Sequence, residues 1–70
     1  MATALRPLPL RMELGHTTTA EGVRLFRGEV ERGTTLIAAT EWTEHPTRAI
    51  GEGHDLLRVI RTWEEFTEAA

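Results

Sequence analysis

The stretch Asp55-Leu56-Leu57-Arg58-Val59-Ile60-Arg61-Thr62-Trp63-Glu64-Glu65-Phe66-Thr67-Glu68-Ala69-Ala70 decides the fold. At about 100° per residue, Leu56, Val59, Ile60, Trp63, Phe66, Thr67 and Ala70 fall within an arc of about 120°, which predicts one amphipathic helix over about 55–70. Asp55 is a good N-cap type, and Gly51 and Gly53 break the chain just before it. Arg58 and Arg61 stand early while three glutamates fill the last two turns, so the charges oppose the helix dipole. The helix must therefore draw its stability from burying the Leu56/Ile60/Trp63 stripe. Trp63, at the centre of the arc, is expected in the core, where truncation to Ala would cost about 3–5 kcal/mol.

A sheet is the natural partner for that stripe. Apolar and polar residues alternate from Leu8 to Leu14, with Leu8, Leu10, Met12 and Leu14 facing inward and Pro9 marking an edge or a strand start. A polar loop from Gly15 to Gly22 follows. The run Val23 to Val30 alternates as Val23/Leu25 and then changes phase to Phe26/Val30 around Gly28, which suggests a bulge there. Glu31-Arg32-Gly33 reads as a tight hairpin with the glycine left-handed, and Thr34 to Trp42 as a third strand, although Leu36-Ile37-Ala38-Ala39 also fits a short helical piece. Thr43 to His54, with Pro46, Gly51 and Gly53, reads as the connection to the helix.

The fold class that results is α+β: a three-stranded antiparallel sheet packed on one C-terminal helix, a two-layer sandwich over residues 1–70 with strands at about 8–14, 23–30 and 34–42. Seventy residues make one lean core, and with no cysteine neither disulfides nor a thiolate zinc site can support it. Packing and self-association remain. The N-terminal MATALRPLPLRMELG lacks the apolar run of a signal peptide, and nothing resembles a membrane span, so a cytoplasmic protein without a membrane partner is expected.

The segments "GTTLIAATEWTEHP" and "AIGEGHDLLRVIRTWEEFTEAA", in the order β-β-β-α, resemble a family of small actinobacterial proteins of unknown function with a double-stranded-RNA-binding-domain-like fold. The resemblance rests on His45-Pro46 after the third strand and on Ile50-Gly51-Glu52 ahead of the helix. It implies a fold and no activity. RNA-binding members of that fold use a basic cluster at the start of the last helix, where this chain has Arg58 and Arg61 among acids and no lysine, so RNA binding does not carry over.

The chemistry-bearing residues are few. His16, His45 and His54 are the candidates for metal or acid-base work; a set could be assembled from His45, His54, Asp55 and Glu44, but no spacing matches a zinc pattern and solvated loop histidines are the plainer reading. The chain has no serine and no cysteine, which disfavours nucleophilic catalysis. Gly51-Glu52-Gly53 lacks a P-loop lysine and carries acids that would repel phosphate. No enzyme activity, cofactor or metal is expected.

What remains is an interaction module. One helix cannot cover both faces of a three-stranded sheet, so the open face is expected to bind a second copy, as a homodimer or larger assembly, or another protein. The residues for such contact are Phe26, Trp42, Arg11, Arg24 and Arg27, with Trp42 either closing the core edge or exposed beside Phe26. A nucleic-acid reading competes through Arg11, Arg24, Arg27 and Arg32. Residues 1–40 carry five arginines against four acids, and residues 41–70 carry three against seven, which leaves the strand half the less acidic. A net charge of −3 works against it.

Overall fold

The computed structural model describes residues 8–69 and has the order β1 (Leu10–Thr18), β2 (Arg24–Arg32), β3 (Thr35–Ala39) and α1 (Pro46–Ala69). The three strands form one antiparallel sheet with β2 in the middle, and α1 covers one face, as the two-layer α+β reading requires. The β1–β2 ladder runs without a break from Leu10 opposite Arg32 to Thr18 opposite Arg24. β1 therefore continues four residues beyond Leu14 into what reads as a loop. The turn that follows is tied by Gly22 N–H to the Thr19 carbonyl at 2.9 Å, with Gly22 at φ 86°.

At the second hairpin Gly33 takes φ 63° as the first residue of a two-residue turn, the position that a type II′ turn reserves for glycine. β3 stays extended throughout, so the short-helix alternative for Leu36–Ala39 does not hold. The bulge lies between Val30 and Glu31 in the pairing with β3, where Ile37 is the extra residue, and not at Gly28. The change of phase in β2 has another cause. Phe26, Gly28, Val30 and Arg32 share the side facing α1 by strict alternation, and Leu25 simply points the other way. Beyond β3 the chain keeps following β2: Gly28 N–H donates to Thr40 Oγ1 at 2.9 Å, and Phe26 and Thr43 exchange backbone bonds at 2.7 and 2.8 Å.

The helix begins nine residues before the position that Asp55 suggests. Pro46 starts it, where a missing N–H costs nothing and φ is already helical, and Ala49 N–H closes the first turn on the His45 carbonyl at 3.1 Å. Gly51, Gly53 and Asp55 all lie inside it. Gly53 is tolerated because α1 crosses β2 there backbone to backbone. A Cβ on Gly53 would stand 2.9 Å from Gly28 Cα, and one on Gly28 would stand 2.7 Å from the Ala49 carbonyl oxygen. The two glycines let helix and strand touch.

The docked stripe is consequently Ala49, Gly53 and Leu57, flanked by Leu56 and Ile60. Leu10, Val30 and Leu57 form the core cluster, with Met12 packed against it; Leu14 shares their side of the sheet, as expected, but keeps 36 % of its surface, and Leu8, expected inward, lies before β1 and is exposed. Trp63 is 64 % exposed and contributes nothing to this core. The spacing that made it the centre of an apolar arc describes a second face of α1, turned away from the sheet. The far end of the docked stripe is polar: Arg32 forms an ion pair with Glu64, and Arg61 donates to the Leu10 carbonyl at 3.4 Å. The helix lies over β2 and β1 and barely meets β3.

Candidate functional site

Two surfaces are left uncovered, and they differ in chemistry. The open sheet face carries Arg11, Glu13, Arg27, Glu29 and Glu31 by alternation, a lattice of charge, together with Leu25 and, opposite Glu31 on β3, the exposed Leu36. Arg27 Nε donates to Glu29 Oε2 at 2.9 Å, and Arg11 approaches Glu13 at 3.5 Å and Glu31 at 3.9 Å. The Glu31 carboxyl is held above its ordinary 4.5, chiefly because the neighbouring Glu13 can share a proton with it, with desolvation next. Its Oε1 is enclosed without a hydrogen-bond partner.

The arginine of this lattice also positions an aromatic ring. Trp42 lies past the end of β3, and the Arg27 guanidinium sits 4.5 Å from its ring centroid, a cation–π contact. Trp42 keeps 39 % of its surface and borders an open groove of about 500 Å³ shared with Arg48, Glu52, Leu56 and Val59 of α1. The structure thus groups Arg11, Arg27 and Trp42 at the open face and its margin. Phe26 and Arg24 fall on the helix side, so Phe26 and Trp42 do not form a shared aromatic pair.

The histidines stay apart. His45 precedes α1 and its backbone N–H donates to Thr43 Oγ1 at 3.2 Å, His54 is exposed on α1, and His16 is exposed on β1. Among the described residues no three His, Asp or Glu side chains converge as metal ligands. No described helix is long and apolar enough to cross a membrane.

The second surface is on α1. Val59, Trp63 and Phe66 are 61, 64 and 67 % exposed, and the rings of Trp63 and Phe66 stack at 6.0 Å with an interplanar angle of 25°. With Arg58 and Thr62 they line an apolar hollow of about 470 Å³. Leu56, half-buried, packs against the core cluster and borders the groove beside Trp42. The exposed residues 59, 63 and 66 stand four and three apart, and the docked residues 49, 53 and 57 four and four. Two apolar stripes run along one helix, and the sheet takes only one. In the sequence these residues fall in the same apolar arc as Leu56 and Ile60, and that single arc, with Trp63 at its centre, reads as the core.

The β-β-β-α order agrees with a double-stranded-RNA-binding-domain-like arrangement. No family model, no curated protein and no solved structure matches the chain.

Proposed function

We propose that this protein is a noncatalytic interaction module, which acts by offering the strip Val59, Trp63 and Phe66 of α1 to another protein chain. The observation that carries this reading is the exposure of two stacked aromatic residues on a well-formed helix. Exposed Trp and Phe leave on the order of 150–250 Å² each at stake, and contiguous apolar surface of that kind marks contact sites on soluble proteins. Trp is also among the residues that most often carry binding energy.

Two features favour α1 over the open sheet face as the contact. The sheet face is mostly charged, with Arg11 and Arg27 already beside carboxylates, and a partner protein would have to desolvate these groups. The same pairing counts against the nucleic-acid reading, since Arg11, Arg27 and Arg32 each contact a carboxylate and are divided between the two faces. The resemblance to the actinobacterial family is in keeping with a small βββα unit and adds no activity.

A photo-crosslinking amino acid placed at position 63 or 66, and at position 13 as a control on the open face, tests this in cells producing the protein. The expected result is a discrete protein adduct from positions 63 and 66 and none from 13. An adduct from position 13 alone, a nuclease-sensitive adduct, or no adduct from the helix would overturn it.

A further inference from the structure

We propose that Glu13 and Glu31 hold one proton between them, so that the open sheet face gains and sheds a single charge with pH. Strands β1 and β2 set two guanidinium groups, Arg11 and Arg27, against three carboxyl groups, Glu13, Glu29 and Glu31, on that face. β3 adds Leu36 and Ala39 there and no charged group. Two positive charges against three negative leave one negative charge unbalanced when every carboxyl is ionised, and one bound proton removes it.

Geometry decides which carboxyl groups are left over. Arg27 is taken by Glu29 at 2.9 Å, and the Glu29 carboxylate leans over Gly15, the residue opposite Arg27. Arg11 alone remains for the other two. It is divided among three acceptors, lying 3.5 Å from Glu13 and 3.9 Å from Glu31 and donating to the Gly33 carbonyl at 3.4 Å. None of these is as short as a well-made charged hydrogen bond, and Arg11 is 55 % exposed, so water screens what it offers. Glu13 stands diagonal to Glu31 across the β1–β2 pair, within reach of a long side chain.

Glu31 is the member that needs the proton. Its side chain is 15 % exposed, and its Oε1 finds no hydrogen-bond partner among the described residues. Two adjacent carboxylates repel, and an enclosed acceptor without a donor costs free energy; a proton placed between them relieves both. The Glu31 carboxyl is accordingly held above its ordinary value by the hydrogen bond with Glu13, then by desolvation and by the charges of Glu13 and Glu29, with Arg11 opposing. The folded chain binds this proton more tightly than the unfolded chain. Its contribution to stability is therefore full below the ordinary carboxylate value and fades as pH rises through the folded one. A shared proton belongs to the pair, so both carboxyl groups must report its loss.

An NMR titration of the glutamate carboxyl carbons, on the full chain and on Glu13→Gln and Arg11→Gln, tests this. Both substituted residues are more than half exposed, so the fold should survive the changes. In the parent, Glu13 and Glu31 should shift together, in two steps, with the upper step above the range of an isolated glutamate. Glu13→Gln should move the Glu31 titration to lower pH and into a single step, because an amide donates to the carboxylate where a second carboxylate repels it. Arg11→Gln should move the upper step to higher pH. A parent in which Glu31 titrates like an isolated glutamate, or alone without Glu13 responding, overturns the proposal. So does a raised Glu31 titration that Glu13→Gln leaves in place, since burial alone would then hold the proton.

Discussion

Replacing Gly28 by Ala puts one methyl group where α1 crosses β2, and the structure fixes what it meets. The new Cβ would lie 2.7 Å from the Ala49 carbonyl oxygen and 2.9 Å from the Gly53 nitrogen, and closer still to Gly53 Cα. All three are backbone atoms, so no side chain can rotate away. Ordinary contact requires about 3.5–4.0 Å, and α1 must therefore rise by roughly 1 Å over a core held by Leu10, Val30 and Leu57. Overpacking of this kind costs about 1–3 kcal/mol, and a rigid helix lifted from the whole contact belongs at the upper end. At about 4–8 °C per kcal/mol for a domain of this size, the melting temperature should fall by 12 °C or more. Gly51→Ala is the matched control, since a Cβ there meets nothing within 4 Å and the helix gains about 0.8–1 kcal/mol. Thermal melts followed by circular dichroism, at concentrations where the chain is monomeric, should rank Gly51→Ala above the parent and Gly28→Ala far below it. Equal stability of Gly28→Ala and the parent would mean that helix and strand do not meet at these glycines.

Leu57→Ala should cost about 2–5 kcal/mol, enough to unfold most of so small a domain, whereas Trp63→Ala should cost under about 1 kcal/mol in dilute urea titrations, the reverse of their apparent weight in the sequence. Glu31→Gln should raise stability at neutral pH. The carboxyl's folded pKa lies above its unfolded one, so the folded state binds the extra proton and the parent loses stability as pH rises through that window, while the variant does not. Melts between pH 4.5 and 7 check this, and a parent that gains stability across the window more steeply than the variant would contradict it.

The sheet was legible because alternation in β1 and the glycine of the second hairpin are local properties. The start of α1 was not. Two glycines within three residues argue against a helix by about 1 kcal/mol each, and Asp55 offers a cap in the right place. What overrides them is tertiary: Gly53 is needed where it faces Gly28, twenty-five residues earlier in the chain, and no local pattern records that contact. The misassigned core has the same origin. Hydrophobic periodicity finds the bulkiest stripe, but the crossing at Gly28 and Gly53 admits only small residues and one leucine, so α1 is rotated to bury Ala49 and Leu57 and to leave Trp63 in water. Phe26 and Trp42 illustrate the limit for the candidate site. Their types left Trp42 open between closing the core edge and lying exposed beside Phe26, and strand parity and the Arg27 contact place the two rings on different surfaces.

The emission of Trp63, isolated by Trp42→Phe, tests the central claim that α1 docks by its small-residue stripe and keeps the aromatic strip for a partner. At the lowest measurable concentration Trp63 should emit as a water-exposed indole and be freely quenched by acrylamide. Blue-shifted, protected emission that does not change with dilution would show Trp63 to be a core residue and contradict the account.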